Sequence, residues 1–197
     1  MPPLKTRIAA TARRLFLDQG VDGVSMRKIA GQVGVSATAI YRHYRDKDDL
    51  LDEITEDGFS IFRDYLTRAV SSGRAAERVR GLARGYLDFA LDHPRYYDFI
   101  FIIPRHNVRR FPDEMARRDD LSFHLLVEQV RQAMSEGAFV AGDPSETALT
   151  IWAHVHGLTS LHRAGRFGAN NDTFRALYNR SVERLFTGIE VPGEVNP

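Results

Sequence analysis

Two short segments of helical apolar spacing, joined by a four-residue turn at Val33-Gly34-Val35-Ser36, constrain this chain more than any other feature. Ser25 is a good N-cap for the first segment, and Ile29, Ala30 and Val33 recur there at the spacing of one buried helix face. Gly34 stops that helix, because glycine alone takes the left-handed backbone freely. Ser36 then caps a second short helix whose inward residues are Ile40 and Tyr44. The glycine allows a sharp reversal, while Val35, turned inward, would fix the angle between the two helices. This is helix-turn-helix spacing, over residues 25–45.

The same periodicity runs through nearly the whole chain. Ile8, Ala12, Leu15 and Phe16 mark a helix stopped by Gly20. Asp46 opens a long helix with Asp48 and Asp49 at its positive end and Leu50, Leu51, Ile54, Ile61, Phe62, Tyr65, Leu66 and Ala69 on one stripe. Val79, Leu82, Ala83, Tyr86, Leu87 and Ala90 predict a fifth helix, broken just before Pro94. Residues 94–103 read as a short buried helix that must stop near Pro104, and a loop rich in Arg and Pro follows over 105–118. Leu125, Leu126, Gln129, Val130, Ala133 and Met134 predict the next helix, closed by Gly137. Asp143-Pro144-Ser145-Glu146 then sets a cap, an N1 proline and an N3 glutamate in register for a helix reaching residue 164. Asp172 is the expected cap of the last helix, with Phe174, Leu177, Tyr178, Leu185 and Phe186 inward. No strand alternation extends beyond a few residues. The fold class is therefore all-α: a three-helix head over 4–64, joined by a long helix to a helical body over 65–190.

Composition narrows the function classes. Zero cysteines exclude disulfides, thiolate metal sites and cysteine nucleophiles together. No stretch approaches the ~18 apolar residues needed to cross a bilayer. No secretory signal is visible, so a cytoplasmic location without membrane association is expected. The net charge of +1 conceals an asymmetry: residues 1–45 hold eight basic against two acidic side chains, and the remainder nineteen against twenty-four. A small basic end on an acidic body is what a nucleic-acid binder needs, since phosphate neutralisation supplies most non-specific affinity.

In a helix-turn-helix the second helix enters the major groove with its first residues on base edges. Those positions are Ala37, Thr38 and Ala39, small enough for close approach and able to touch a thymine methyl. Tyr41, Arg42 and His43 follow with donors suited to phosphates, and Arg27 and Lys28 lie on the first helix.

At these residues the chain resembles the TetR family of transcriptional regulators. "GVDGVSMRKIAGQVGVSATAIYRHYRDKDDLL" is similar to the family signature over residues 20–51, and the preceding "RIAATARRLFLDQG" to its first helix. "WAHVHGLTSL" resembles the Trp-His-Gly segment of one subgroup. The resemblance implies base contacts from Arg27, Ala37, Thr38 and Ala39, and phosphate contacts from Tyr41, His43 and Lys47. It also implies a homodimer, paired through the last two long helices, that represses by binding a near-palindromic double-stranded operator. An effector would then release it by moving the fourth helix. Gly157, Thr159 and Ser160 are small residues that would let two such helices approach closely.

The body is dense in aromatic residues. Tyr86, Phe89, Phe99, Phe123 and Trp152, with His156 as a polar point, suit an apolar effector pocket with few convergent polar groups. A protein of the same fold without an effector, serving as a constitutive regulator or chromosome organiser, is the alternative. Residues two apart on a helix point roughly 200° from each other, so His154 and His156 cannot share a metal. No Gly-rich phosphate loop, Gly-x-Ser-x-Gly elbow or His-Glu-x-x-His pair is present, so neither catalysis nor a cofactor is expected.

Overall fold

A computed structural model describes residues 1–70, 73–103, 121–168 and 170–191. In chain order the helices are α1 (Leu4–Gln19), α2 (Met26–Val33), α3 (Ala37–Tyr41), α4 (Lys47–Ala69), α5 (Ala75–Asp92), α6 (Pro94–Tyr97), α7 (Leu121–Ser135), α8 (Pro144–Arg163) and α9 (Asn171–Ile189). A wider π-helical turn, Asp98–Ile102, continues α6. Among the described residues the sole extended pairing is an isolated antiparallel bridge between Phe139 and Glu190. The expected loop over 105–118 lies outside the described residues.

The chain divides into two compact units, and the division is not a single cut. Met1–Ser60 and Arg95–Phe101 form the first unit, while Ile61–Pro94 and the chain from Ile102 onward form the second. Helix α4 thus contributes its first half to one and its second half to the other.

In the first unit Ile8, Ala12, Leu15 and Phe16 of α1 are buried with Ile29, Ala30 and Val33 of α2, Ile40 of α3, and Leu50 and Ile54 of α4. Each large aliphatic or aromatic side chain removed from water here contributes about 1.5–3 kcal/mol. Gly34 ends α2 at φ 76°, ψ 38°, the left-handed geometry its position required. Ser36 caps α3 by accepting from the Ala39 amide at 3.3 Å, whereas Ser25 occupies the cap position of α2 without a side-chain hydrogen bond. The segment Arg95–Phe101 completes this core: the Phe16 ring lies 5.3 Å from Tyr96 and 4.9 Å from Phe99. Gly58 of α4 makes room for it, since a Cβ there would sit 2.9 Å from the Tyr96 ring.

In the second unit α5 packs on α7, α8 and α9. Its Val79, Leu82, Ala83, Leu87, Phe89 and Ala90 are buried. On its α4 side, a Cβ on Gly81 would come 2.5 Å from the Ala69 carbonyl oxygen, so the two backbones touch. The Asp143 side chain accepts from the Ser145 and Glu146 amides and starts α8 where the sequence placed it. Two expectations shift. The cap of α9 is Asn170, which accepts from the Thr173 amide at 2.9 Å, rather than Asp172, which lies inside the helix. The buried stripe of α7 is Phe123, Val127, Val130 and Ala133, with Leu125 and Leu126 only half-buried. At the chain's end Val140 N donates to the Ile189 carbonyl at 2.9 Å and Val191 N to the Ala138 carbonyl at 3.1 Å, tying α9 to the α7–α8 connection.

Candidate functional site

The head sorts its polar side chains into two groups. One group holds the three-helix framework. Arg7 of α1 donates to the Val33 carbonyl at the end of α2 at 2.5 Å, and Arg14 donates to the Gln32 side chain at 2.7 Å. Arg13 pairs with Asp57 of α4 at 2.5 Å. The Tyr44 hydroxyl donates to Glu53 at 2.5 Å; burial, then the Glu53 carboxylate, push that phenol above its ordinary range. Lys47 donates to the Val21 carbonyl at 2.8 Å, which ties the start of α4 to the loop before α2. Lys28 reaches the Gln19 side chain at 3.3 Å.

The other group is exposed. Arg27 of α2, Thr38 and Tyr41 of α3, and Arg42 and His43 just beyond lie in solvent. Among the described residues none of the five has a side-chain hydrogen bond or an ion pair. Ala37 and Ala39 are half-buried beside Thr38, so that face of α3 presents methyl groups and one hydroxyl. The outward surface of α2 and α3 is therefore a strip of donors and methyls without a protein partner, the chemistry that major-groove edges and phosphates accept. Lys47 is the one expected phosphate contact that also carries a framework bond, and its ammonium keeps two further donors.

In the second unit the aromatic residues form a continuous line of ring contacts. Phe123 of α7 lies 6.2 Å from Trp152 of α8, and Trp152 lies 5.6 Å from His156. His156 Nδ1 is 2.7 Å from the Tyr86 hydroxyl, and its Nε2 is 3.3 Å from Ser160 Oγ. Tyr86 meets Phe62 of α4 at 5.6 Å, and Phe62 meets Phe89 at 5.0 Å. Burial holds the His156 imidazole below its ordinary value, which favours the neutral ring. The line thus joins Tyr86, Phe89, Phe123, Trp152 and His156. Phe99, the remaining residue of the expected pocket, lies in the first unit, against Phe16. Phe62 and Ser160 are the members that residue type alone did not single out; Phe62 was legible as part of the α4 stripe.

His154 points elsewhere, with Nε2 3.1 Å from Ser181 Oγ on α9. Among the described residues no cluster of three ligating side chains could hold a metal, and no helix is long and apolar enough to cross a membrane. Of the small residues expected to admit a partner helix, Thr159 faces its own core and bonds the Val155 carbonyl at 2.7 Å. Gly157 has open space where its Cβ would stand.

Two family models match the chain. One, described as bacterial regulatory proteins of the tetR family, covers residues 8–54; the other, a tetracyclin repressor-like C-terminal domain, covers residues 79–185. The chain belongs to the TetR family. Among its relatives, an HTH-type transcriptional regulator of Mycobacterium tuberculosis is 25% identical over 94% of this chain and 92% of its own length. An HTH-type transcriptional regulator of Staphylococcus aureus is 30% identical over 45% of this chain and 49% of its own. A solved protein of unknown function from Rhodococcus sp. RHA1 superimposes with a TM-score of 0.79 at 29% identity, covering 97% of each chain. A tetR-family regulatory protein from Rhodococcus RHA1 shares the fold at a TM-score of 0.67 and 20% identity, covering 98% of this chain and 100% of its own. As a member of the TetR family the chain is a transcriptional regulator, and its all-helical body with a helix-turn-helix head is the architecture of the family's solved structures.

Proposed function

We propose that this TetR-family regulator is a homodimeric repressor that binds a near-palindromic DNA operator through α2 and α3 and leaves it when a small apolar effector enters the body. The observation that carries the DNA half is the division of labour in the head. Arg7, Arg13 and Arg14 are engaged within the fold, while Arg27, Thr38, Tyr41, Arg42 and His43 are exposed and have no side-chain partner among the described residues. An exposed, unpaired donor costs nothing in water but contributes nothing either; its use lies with an external acceptor.

The effector half rests on the line of rings from Phe123 to Phe89, with Tyr86, His156 and Ser160 as its polar points. The line includes residues of α4, α5, α7 and α8, so a ligand among them would act on the same long helix that enters the head. Dimerisation is supported by the outward side of α8, where Leu161 is 47% exposed and Gly157 leaves space for a facing helix.

The test is to select bound fragments from the host chromosome and footprint them. Two related half-sites, centred about one helical turn (roughly 34–36 Å) or a multiple apart, are the expected result. Full affinity for a single asymmetric half-site, or no selection over random DNA, would remove the proposal. Light scattering should give twice the 22.3 kDa chain mass.

A further inference from the structure

Helices α5 and α9 run antiparallel and meet through a ladder of polar rungs. On α5 the rungs are Arg80, Arg84 and Asp88, each one turn apart; on α9 they are Glu183, Asn179 and Arg175. The outer two rungs are ion pairs. Arg80 Nε lies 3.1 Å from Glu183, and Arg80 Nη1 also lies 2.7 Å from Glu190, while Arg175 pairs with Asp88. The middle rung sets Arg84 opposite an amide instead of an acid.

Among the described residues neither Arg84 nor Asn179 has a hydrogen bond or an ion pair, and both are exposed. A notch of about 190 Å³ opens beside them, lined by Arg80, Arg84, Tyr178, Asn179, Val182 and Glu183. Tyr178 and Val182 are buried residues that give it an apolar floor. The Tyr178 hydroxyl is committed to the Ala83 carbonyl at 2.7 Å. The Glu183 carboxylate pairs with Arg80, which it shares with Glu190. Arg84 is the guanidinium of the notch that no side chain engages among the described residues, and the Asn179 amide N–H₂ stands across from it.

We propose that this notch is a binding site for a small aliphatic carboxylate, whose anionic end completes the middle rung and whose short hydrocarbon part rests on the edge of Val182 and the aliphatic stems of Arg80 and Arg84. A guanidinium presents its N–H groups as a planar fork that matches a carboxylate, and the amide adds a further donor. The volume is below the roughly 300 Å³ at which drug-sized pockets begin, so the ligand is small. The site is separate from the aromatic line, because Arg84 and Tyr86 are two residues apart on α5 and point about 200° from each other. It also avoids the side of α9 that meets α8, since Asn179 stands two residues from Ser181, the partner of His154.

The experiment uses the full-length protein and three probes at matched ionic strength: butyrate, butylammonium and butanol. Titrations are followed through the Asn179 side-chain amide resonance, assigned by its loss in an Asn179→Asp variant. Butyrate should give a saturable shift, with the other two probes weaker by about ten-fold or more. Arg84→Gln should weaken butyrate by a similar factor. Asn179→Asp supplies the missing carboxylate from within, so it should abolish butyrate binding, followed by calorimetry, and raise the melting temperature. Both positions are exposed, and neither substitution opens the core. No saturable butyrate shift, equal response to butanol, or undiminished butyrate binding by Asn179→Asp would each overturn the proposal.

Discussion

Replacing Lys47 by Met separates the framework bond that its ammonium makes from the phosphate contact proposed for the same group. The substitution keeps the aliphatic stem and removes both the charge and the donor to the Val21 carbonyl at 2.8 Å. A hydrogen bond from a charged donor contributes about 1.5–3 kcal/mol when buried; for the half-buried Lys47 about 1 kcal/mol is the expected share. For a chain of this size that lowers the melting temperature by about 2–4 °C. The second role is read on DNA. Each phosphate contact contributes about 0.9 to the slope of log affinity against log salt. Raising salt from ~50 to ~200 mM therefore costs about 3.5-fold more in affinity for every contact made. Lys47→Met should lose one such contact, flattening the slope by about 0.9, on specific and random DNA alike. Arg42→Ala is the control, because Arg42 is exposed and has no partner among the described residues. It should flatten the slope similarly while leaving the melting temperature unchanged. An unaltered melting temperature in Lys47→Met would refute the framework bond, and an unaltered salt slope would refute the phosphate contact.

Gly81→Ala places a Cβ 2.5 Å from the Ala69 carbonyl, so overpacking of about 1–3 kcal/mol should outweigh the ~1 kcal/mol helix-propensity gain. Gly31→Ala, with nothing within 4 Å, should instead stabilise, and thermal melts that rank the two the other way would contradict the α4–α5 contact. Arg27→Ala should cost about 1–3 kcal/mol on the operator and relax specificity at one base position. Equal losses on random DNA would reassign it to phosphate. Because burial depresses the His156 pKa, the unfolded chain binds more protons there, and this contribution to stability is present above pH ~6.5 and lost as pH falls below it. His156→Phe should flatten that part of the pH–stability curve. An unchanged curve would mean that His156 titrates alike folded and unfolded.

Local chemistry was legible where a single residue type answers a single geometric demand. Gly34 had to be left-handed, Ser36 had to cap α3, and Asp143 with Pro144 had to open α8; all three do so. Where several residues could serve, the sequence underdetermined the outcome. Asn170, Asn171 and Asp172 are three competent caps in a row, and the first of them was used because the Phe174 and Tyr178 face fixes the phase of α9. In α7 the apolar residues cover more than half the circumference, so periodicity could not decide between Leu125 with Leu126 and Phe123 with Val127. The candidate DNA surface was readable because it lies on two short, consecutive helices. The return of Tyr96 and Phe99 onto Phe16 was not, since no periodicity links residues some 80 positions apart. Its one trace was Gly58, a glycine inside a long helix at a cost of about 1 kcal/mol, which marks a close approach from elsewhere.

That return limits how such regulators can be recombined. The helix-turn-helix reads as a portable cassette, yet Phe16 is covered by side chains encoded well downstream, inside the stretch that would be assigned to the other half. A chimera cut after residue 60 would carry the candidate reading surface but strip two aromatic rings from Phe16. Swapping specificities between members of the lineage therefore calls for two crossovers, or for exchange of surface residues alone. The same constraint falls on substitution: a change of size at Tyr96 or Phe99 is felt at Phe16, and at Tyr96 also by Gly58, whatever is altered elsewhere in the body.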